Sequence, residues 1–193
     1  MRTKLIVFEG IDGSGKSTIS QLVARALRDR GIPAIRFRMF TWKRSGFEKF
    51  KPYVKHHASR EASLFYYLAM LTHEGDRIRA LLKNHWVIAD RYVYTTLAQH
   101  AAWGVSLASI NVAKLPLPRP DYCFHLVVRE EIRRQRLLQR KTRTNWDRRL
   151  VRPGSELDRI ERVSRALGMR DIRNDGTRKD TVRAVLRSMR IRV

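Results

Sequence analysis

The chain has 193 residues, of which 43% are hydrophobic, so it is long enough to bury a core and its composition excludes a disordered chain. It carries 41 lysine and arginine residues against 18 acidic ones, a formal net charge of +23, which favours anionic partners such as phosphorylated metabolites or nucleic acid. No apolar run reaches the ~18 residues of a membrane span, and the single cysteine, Cys123, excludes an internal disulfide. We therefore expect one cytoplasmic domain over residues 1–193, with no membrane partner.

Apolar residues follow two different periods along the chain, and this predicts strands that alternate with helices. Strands are predicted at 4–8, 34–40, 85–89, 122–128 and 169–173. Helices are predicted from Lys16 to Gly31 and at 60–83, 93–103, 129–140, 155–167 and 178–190. Segment 41–57 is typical of a basic loop with short helical pieces, and 141–154 of an arginine-rich lid. This order predicts a three-layer α/β fold, with a parallel five-stranded sheet between two layers of helices.

The first strand continues directly into GIDGSGKS, residues 10–17, which matches G-x-x-x-x-G-K-[ST] at every position. A strand before the motif and a helix after it are the context of a phosphate-binding loop, or P-loop. Its glycines let backbone N–H groups approach phosphate oxygens, Lys16 reaches the β- and γ-phosphates, and the Ser17 hydroxyl binds Mg²⁺. The predicted nucleotide-binding residues are Gly10, Gly13, Ser14, Gly15, Lys16, Ser17 and Thr18. The expected cofactors are ATP and Mg²⁺.

A second group of candidate residues lies in DRY, at the end of the third predicted strand. Ligands of open α/β sheets bind beyond the carboxyl ends of the strands, so we expect Asp90 close to the P-loop, where it binds Mg²⁺ through water. Arg91 beside it is expected to hold the phosphate of an acceptor. The alternative interpretation is a helix-capping aspartate followed by a surface arginine.

The segments FEGIDGSGKST, WVIADRYVYTTLA and PDYCFHLVV, followed by an arginine-rich helix and lid, resemble the thymidylate kinases, a family of P-loop nucleoside monophosphate kinases. The resemblance implies a P-loop NTPase fold, transfer of the γ-phosphate of ATP to a nucleoside monophosphate (dTMP as the first guess), and a tendency to form homodimers. It also implies that Asp12 faces the acceptor sugar and the metal. Gly13 stands where some members carry a P-loop arginine, and members without it take the catalytic cation from the lid.

The arginines that precede and enter the lid are candidates for that cation. Arg136, Arg140 and Arg143 are spaced at i, i+4 and i+7, so they project from one side if the helix continues that far. An arginine in this role contributes a rate factor of about 10³ or more. The predicted catalytic residues are Asp12, Lys16, Asp90, Arg91, Arg140 and Arg143.

On the acceptor side the chain departs from the family. FTWKRSGFEKF replaces an R-E-P-G-G-T-like segment, and Leu68-Ala69 stands at the offset of an Asp-Arg pair, with Arg77 and Arg79 further along as substitutes. Gln99-His100 replaces a Tyr-Gln pair that helps to hold the base. The acceptor thus stays open between dTMP, another monophosphate, a nucleoside, another small metabolite and the 5′ end of a nucleic acid. A non-catalytic nucleotide-dependent switch is the remaining alternative.

Overall fold

The computed structural model describes residues 2–39, 46–139 and 156–191 of the chain. Its strands are β1 Leu5–Glu9, β2 Ala34–Arg38, β3 Trp86–Asp90, β4 Tyr122–Val127 and β5 Arg170–Arg173. Its α-helices are α1 Lys16–Arg28, α2 Lys51–His57, α3 Arg60–Leu81, α4 Val93–Ala102, α5 Glu130–Leu138, α6 Glu156–Ala166 and α7 Arg178–Ser188. The predicted alternation of strands and helices is confirmed. The predicted lid at 141–154 lies outside the described residues, and so do Arg140 and Arg143.

The five strands form one parallel sheet in the order β2-β3-β1-β4-β5, which confirms the predicted fold class. β1 lies between β3 and β4, with Phe8 in register with Asp90 and Glu9 in register with His125. The carboxyl ends of these three strands therefore meet at one edge of the sheet. The P-loop begins at that edge.

The central strands β1 and β3 are buried along their whole length, which explains why their sequences are almost continuously apolar. Alternate residues of β1 serve the two faces: Leu5 and Val7 pack with buried residues of α3 and α4, whereas Ile6 and Phe8 pack with residues of α1 and α7. Helices on both sides of the sheet thus form the predicted three layers. Within the residues described, no helix is both long and apolar enough to cross a lipid bilayer.

The glycine that was predicted to end helix α1 caps it, three positions after its last helical residue, Arg28. Gly31 has φ +72°, and its N–H donates to the Arg28 oxygen at 2.9 Å, while the Ile32 N–H donates to the Leu27 oxygen at 3.0 Å. These two bonds form a Schellman motif, in which glycine adopts the left-handed conformation at little cost. The chain then enters β2, which brings that strand to the edge of the sheet beside β3.

Candidate active site

The P-loop connects β1 to α1, and two of its glycines are required by their conformation and by close neighbours. Gly13 has φ +88° and Gly15 has φ +94°, values that cost a residue with a side chain roughly 1–2 kcal/mol. A Cβ atom at Gly13 would lie 2.8 Å from Cγ of Arg133 in α5, and one at Gly15 would lie 2.4 Å from Nδ2 of Asn174. The loop is therefore enclosed by α5 and by the turn after β5. An arginine at position 13 does not fit against α5.

The Lys16 side chain is buried and points back into the P-loop. Its Nζ donates a hydrogen bond to the Ile11 backbone oxygen at 2.8 Å and lies 4.0 Å from Oδ1 of Asp12. Burial, followed by repulsion from Arg91, lowers the pKa of Lys16 to about 8, although nearby carboxylates oppose this. A bound phosphate would favour the charged form and raise this pKa again.

Asp90, at the end of β3, is buried beside the first turn of α1. The Ser17 hydroxyl donates to its Oδ2 at 2.7 Å, and Nη2 of Arg36 in β2 lies 2.5 Å from the same oxygen. Nε of Arg36 also donates to Oγ of Ser20 in α1 at 3.0 Å. The two predicted metal ligands are thus in direct contact. Sequence reasoning did not single out Arg36, because its alternation with apolar neighbours indicated only a strand.

The donor atoms at this site suit Mg²⁺. The residues described contain no cluster of three or more histidine, cysteine or acidic side chains that could hold a metal by itself. A serine hydroxyl and one carboxylate are oxygen donors, and Mg²⁺ takes few protein oxygens while keeping several waters and the phosphates of a substrate. Ser17 and Asp90 therefore fit a Mg²⁺ ion that arrives with a nucleotide.

Asp12 of the P-loop and Arg91 after β3 form an ion pair between Oδ1 and Nη2. Arg91 has φ +76°, which is uncommon for a residue with a side chain, and its N–H donates to the Phe8 oxygen at 3.0 Å. Residues in such conformations cluster at functional sites, where the surrounding structure holds them in place. The structure thus brings together two predicted catalytic residues from different segments.

Glu9, a buried residue at the end of β1, holds the chain immediately after Arg91. Its Oε1 accepts hydrogen bonds from the backbone N–H groups of Tyr92 at 2.8 Å and Thr95 at 3.2 Å, and its Oε2 accepts from the Thr95 hydroxyl. Burial raises the pKa of Glu9, and the hydrogen bond from Thr95 opposes this. The carboxyl group therefore caps the N-terminus of α4. Sequence reasoning missed this residue, and the available signal was a charged residue ending an apolar strand.

A cavity of about 250 Å³ opens beside the Asp12–Arg91 pair. Beyond that pair, its lining includes Lys51 of α2, Tyr67 of α3, Gln99 and His100 of α4, and side chains of α6. Burial, followed by repulsion from a neighbouring lysine, lowers the pKa of Lys51. The lining combines charged with apolar side chains, as sites for small charged ligands do. It lies on the side of the P-loop where the acceptor is expected.

His100 lies in the cavity wall, but both of its ring nitrogens contact protein groups. Nδ1 lies 2.8 Å from the Thr96 backbone oxygen, and Nε2 lies 3.2 Å from Oγ of Ser63. A carbonyl oxygen only accepts, so Nδ1 carries the proton and Nε2 accepts from the Ser63 hydroxyl. Burial lowers the pKa of His100, which keeps the ring neutral at pH 7. These contacts favour a structural role for His100.

The two arginines of α3 that were considered as acceptor ligands contact other groups. Arg77 donates two hydrogen bonds to the buried carboxylate of Glu74, at 2.8 and 3.0 Å. Arg79 pairs with Asp76 at 2.5 Å and donates to the Pro116 oxygen at 2.6 Å. Neither is part of the described cavity lining. Both arginines stabilise α3 and its contact with the segment before β4.

Asn174, in the turn after β5, connects that turn to the P-loop. Its Nδ2 donates to the Ser14 backbone oxygen at 2.7 Å, and its Oδ1 accepts from the Thr181 hydroxyl at 2.9 Å. Sequence reasoning treated NDGT only as a turn. Asparagine in a turn is common, so nothing in the sequence indicated that this side chain reaches the loop.

Arg136 of α5 approaches the P-loop from the same side. Its Nη2 donates to the Asn174 backbone oxygen at 2.8 Å, and its buried Nη1 has no hydrogen-bond partner among the described residues. Nη1 lies 3.7 Å from the position that a Cβ atom would take at Gly15. Burial lowers the pKa of Arg136. Of the three arginines spaced along the predicted lid helix, Arg136 is described and lies against the loop.

Comparison with known proteins agrees with this geometry. A sequence model described as thymidylate kinase matches residues 8–151, more than half of the chain. The chain belongs to the thymidylate kinase family. This member is 32% identical over 168 residues to a probable thymidylate kinase of Pyrococcus abyssi, covering 76% of the chain and 82% of the relative. It is 33% identical over 148 residues to a thymidylate kinase of Leptospira borgpetersenii, covering 70% and 69% respectively.

Solved structures of other thymidylate kinases share the fold of this family member. The enzyme from Ehrlichia chaffeensis superposes with a TM-score of 0.70 at 20% identity, over 98% of this chain and 100% of that one. The enzyme from Candida albicans gives a TM-score of 0.72 at 19% identity, over 98% and 92%. The predicted P-loop kinase fold is thereby confirmed.

Proposed function

We propose that this family member is an ATP-dependent kinase that transfers the γ-phosphate of ATP to a nucleoside monophosphate, with dTMP as the first candidate. The observation that carries the proposal is the Asp12–Arg91 ion pair, which lies between the P-loop and the cavity. The P-loop and the cavity meet at these two charged groups. Two substrates bound side by side there would be positioned for direct transfer. dTMP is the first candidate because the matching family and relatives bear the name thymidylate kinase.

On the donor side, the backbone N–H groups of residues 13–18 and the Lys16 ammonium would bind the phosphates of ATP. Ser17 would ligate Mg²⁺ directly and Asp90 through water. The bound Mg²⁺ would supply positive charge beside the transferring phosphoryl group. The Nη1 group of Arg136, buried beside the loop, would donate a further charged hydrogen bond to the phosphates. Arg140 and Arg143 stay candidates for the catalytic cation.

On the acceptor side, Arg91 and Lys51 support a phosphorylated acceptor over an uncharged nucleoside. Both lie in the lining of one cavity, together with Asp12, and the three side chains leave a net positive charge that favours a phosphate anion. Arg91 would hold this phosphate while Asp12 faces the acceptor sugar. An oxygen of the acceptor phosphate attacks the γ-phosphorus, and the bond from that phosphorus to the β–γ bridging oxygen breaks. ADP leaves, and no covalent enzyme intermediate forms.

The proposal is tested with a panel of acceptors in the presence of ATP and Mg²⁺. The panel contains dTMP and other nucleoside monophosphates, thymidine, and a short oligonucleotide with a free 5′ hydroxyl, and the products are separated chromatographically. We expect conversion of dTMP to the diphosphate. Turnover of thymidine or of the oligonucleotide without turnover of any monophosphate would overturn the assignment. ATP binding without transfer to any acceptor would favour the nucleotide-dependent switch.

Variants test the ATP site and the acceptor site separately. Lys16→Ala should abolish measurable ATP binding and transfer, because it removes the cation inside the loop. Arg91→Ala should raise the KM of the acceptor and lower kcat/KM by about 10- to 150-fold, since a hydrogen bond to a charged group contributes ~1.5–3 kcal/mol. Arg119→Ala is the control, because its described contact is to the Ala113 oxygen at 3.1 Å, away from the site. Normal kinetics of Arg91→Ala would contradict the acceptor assignment.

A nucleic-acid partner is supported by a basic groove outside the cavity. The groove lies between α1 and α7, and its lining includes Arg30, Arg178, Lys179 and Arg183 around an apolar floor, with no acidic residue among the lining described. Together with the net charge of +23, this lining favours a phosphate backbone. Binding to a labelled single-stranded oligonucleotide should weaken steeply with salt. Lys179→Glu/Arg183→Glu should weaken it more than Lys83→Glu/Lys114→Glu, and equal effects would contradict the groove.

A homodimer is supported by large apolar side chains at the surface of α3 and just before α2. Phe65 and Phe50 are 61% and 63% exposed, so both large apolar side chains are available for protein–protein contact. Light scattering of the purified protein measures the mass directly. A monomer at all concentrations would exclude this partner.

A further inference from the structure

The Asp90 carboxylate, assigned above to the metal, already has a cationic partner in the protein. Asp90 is 2% exposed, and a buried carboxylate without a compensating charge is strongly destabilising. Nη2 of Arg36 lies 2.5 Å from Oδ2, the oxygen that also accepts from the Ser17 hydroxyl at 2.7 Å. Without a nucleotide, Arg36 therefore supplies the positive charge at this site.

Arg36 is held in this position by two elements of the fold. β2 pairs with β3 so that Arg36 is in register with Ile88, two residues before Asp90. Its Nε donates to the buried Ser20 hydroxyl in α1 at 3.0 Å, while Nη2 contacts Asp90. The planar guanidinium makes both contacts at once, which a lysine ammonium on a single stem does less well. The carboxylate is thereby fixed against the first turn of α1.

We propose that Arg36 is a positioning residue that competes with the divalent cation for Asp90. It orients the carboxylate towards Ser17 and keeps the metal affinity of the free protein low until a nucleotide brings phosphate ligands. The physical reason is that a divalent cation and a guanidinium at one carboxylate repel each other, and this repulsion is only partly screened in a buried site. The inference rests on the metal site of the proposed function, but it does not depend on the identity of the acceptor.

The test measures Mn²⁺ binding to the full chain without nucleotide or acceptor, by the electron paramagnetic resonance signal of free Mn²⁺. Arg36→Gln removes the positive charge, and we expect its Mn²⁺ dissociation constant to be at least about tenfold lower than that of the unmodified protein. In Arg36→Gln/Asp90→Asn the gain should disappear, because the carboxylate has gone.

Arg77→Gln is the matched control, because it also removes an arginine from a buried carboxylate, that of Glu74, but at a distance from the P-loop. It should lose stability in thermal unfolding without any gain in Mn²⁺ affinity. Arg36→Lys keeps a positive charge next to Asp90 and should bind Mn²⁺ within about threefold of the unmodified protein. This variant keeps the inference testable if Arg36→Gln does not fold.

The inference is overturned if Arg36→Gln binds Mn²⁺ no more tightly than the unmodified protein, or if Arg77→Gln shows the same gain. A tenfold gain in Arg36→Lys would also overturn it, because the charge would then not limit metal binding. A gain that persists in Arg36→Gln/Asp90→Asn would place the metal away from Asp90. A failure of dTMP turnover alone, with the Mn²⁺ results as expected, would count against the proposed acceptor and leave the role of Arg36 intact.

Discussion

Replacing Asn174 by alanine removes the side chain that connects the turn after β5 to the P-loop. Asn174 is 3% exposed, and it donates to the Ser14 oxygen at 2.7 Å and accepts from the Thr181 hydroxyl at 2.9 Å. Alanine removes both hydrogen bonds and leaves a gap beside Gly15, in the space that Nδ2 of Asn174 fills in the unmodified protein. We therefore expect Asn174→Ala to lower both the free energy of unfolding and the affinity for ATP.

The size of the stability loss follows from the two buried groups that lose this partner. Each costs about 1–3 kcal/mol, so together they lower the free energy of unfolding by about 2–6 kcal/mol. For a chain of this length, 1 kcal/mol corresponds to about 2–4 °C, so Tm should fall by about 4–24 °C. A loop with a less fixed backbone should bind ATP about tenfold more weakly, equivalent to ~1.4 kcal/mol.

Calorimetry measures both quantities, Tm by scanning and the ATP dissociation constant by titration. Asn111→Ala is the control: its Oδ1 accepts from the Ala113 N–H at 3.0 Å in an exposed turn, so its loss should lower Tm by only a few degrees. A normal Tm and normal ATP affinity for Asn174→Ala would refute the reasoning. A lower Tm with unchanged ATP affinity would refute the part that concerns the P-loop.

Three other predictions concern backbone strain, nucleotide binding and protonation. Gly13→Ala should destabilise the protein by about 2 kcal/mol or more, because the strain of a positive φ adds to the close contact with Arg133. Gly31→Ala has no atom within 4 Å of the new Cβ, so it should lose only the free energy that the positive φ costs. Equal losses of stability in thermal unfolding would contradict this. The ATP dissociation constant should rise about tenfold from pH 7 to pH 9, because the pKa of Lys16 is about 8 and phosphate binds the charged form. A dissociation constant that does not change over this pH range would refute the prediction. For His125, burial lowers the pKa, but the carboxylates of Glu161 and Asp171 outweigh this and raise it. The contribution of the protonated ring to stability is therefore complete below about pH 6.5 and is lost as pH rises through the folded pKa. Denaturant titrations of His125→Gln should show a smaller loss of stability as pH rises above about 6.5, and an unchanged pH dependence would contradict the assignment.

The first strand, the P-loop and α1 could be predicted because their interactions are local. The glycine spacing, Lys16 and Ser17 lie within one stretch of chain, and the motif indicates its own strand–loop–helix context. Gly31 was likewise recognisable, since a helix that ends in glycine needs only short-range bonds. The parallel sheet could also be predicted from the sequence, because strands that alternate with helices along the chain are typical of a parallel sheet.

The rest of the site depends on contacts between residues distant in sequence. Asn174 meets Ser14 across 160 positions, and Arg36 meets Asp90 across 54. A turn asparagine and a strand arginine have the same local pattern whether or not they reach a P-loop.

By itself, therefore, the sequence determined the phosphate-binding loop, the order of elements and the family likeness. Only the tertiary structure decided that Arg36 neutralises Asp90 and that Glu9 holds the chain after Arg91. It also decided that both ring nitrogens of His100 contact other groups of the protein. The physical reason is that the charge and hydrogen bonding of a buried side chain depend on what lies opposite it. In this protein the order of strands in the sheet determines which residue lies opposite each of these side chains.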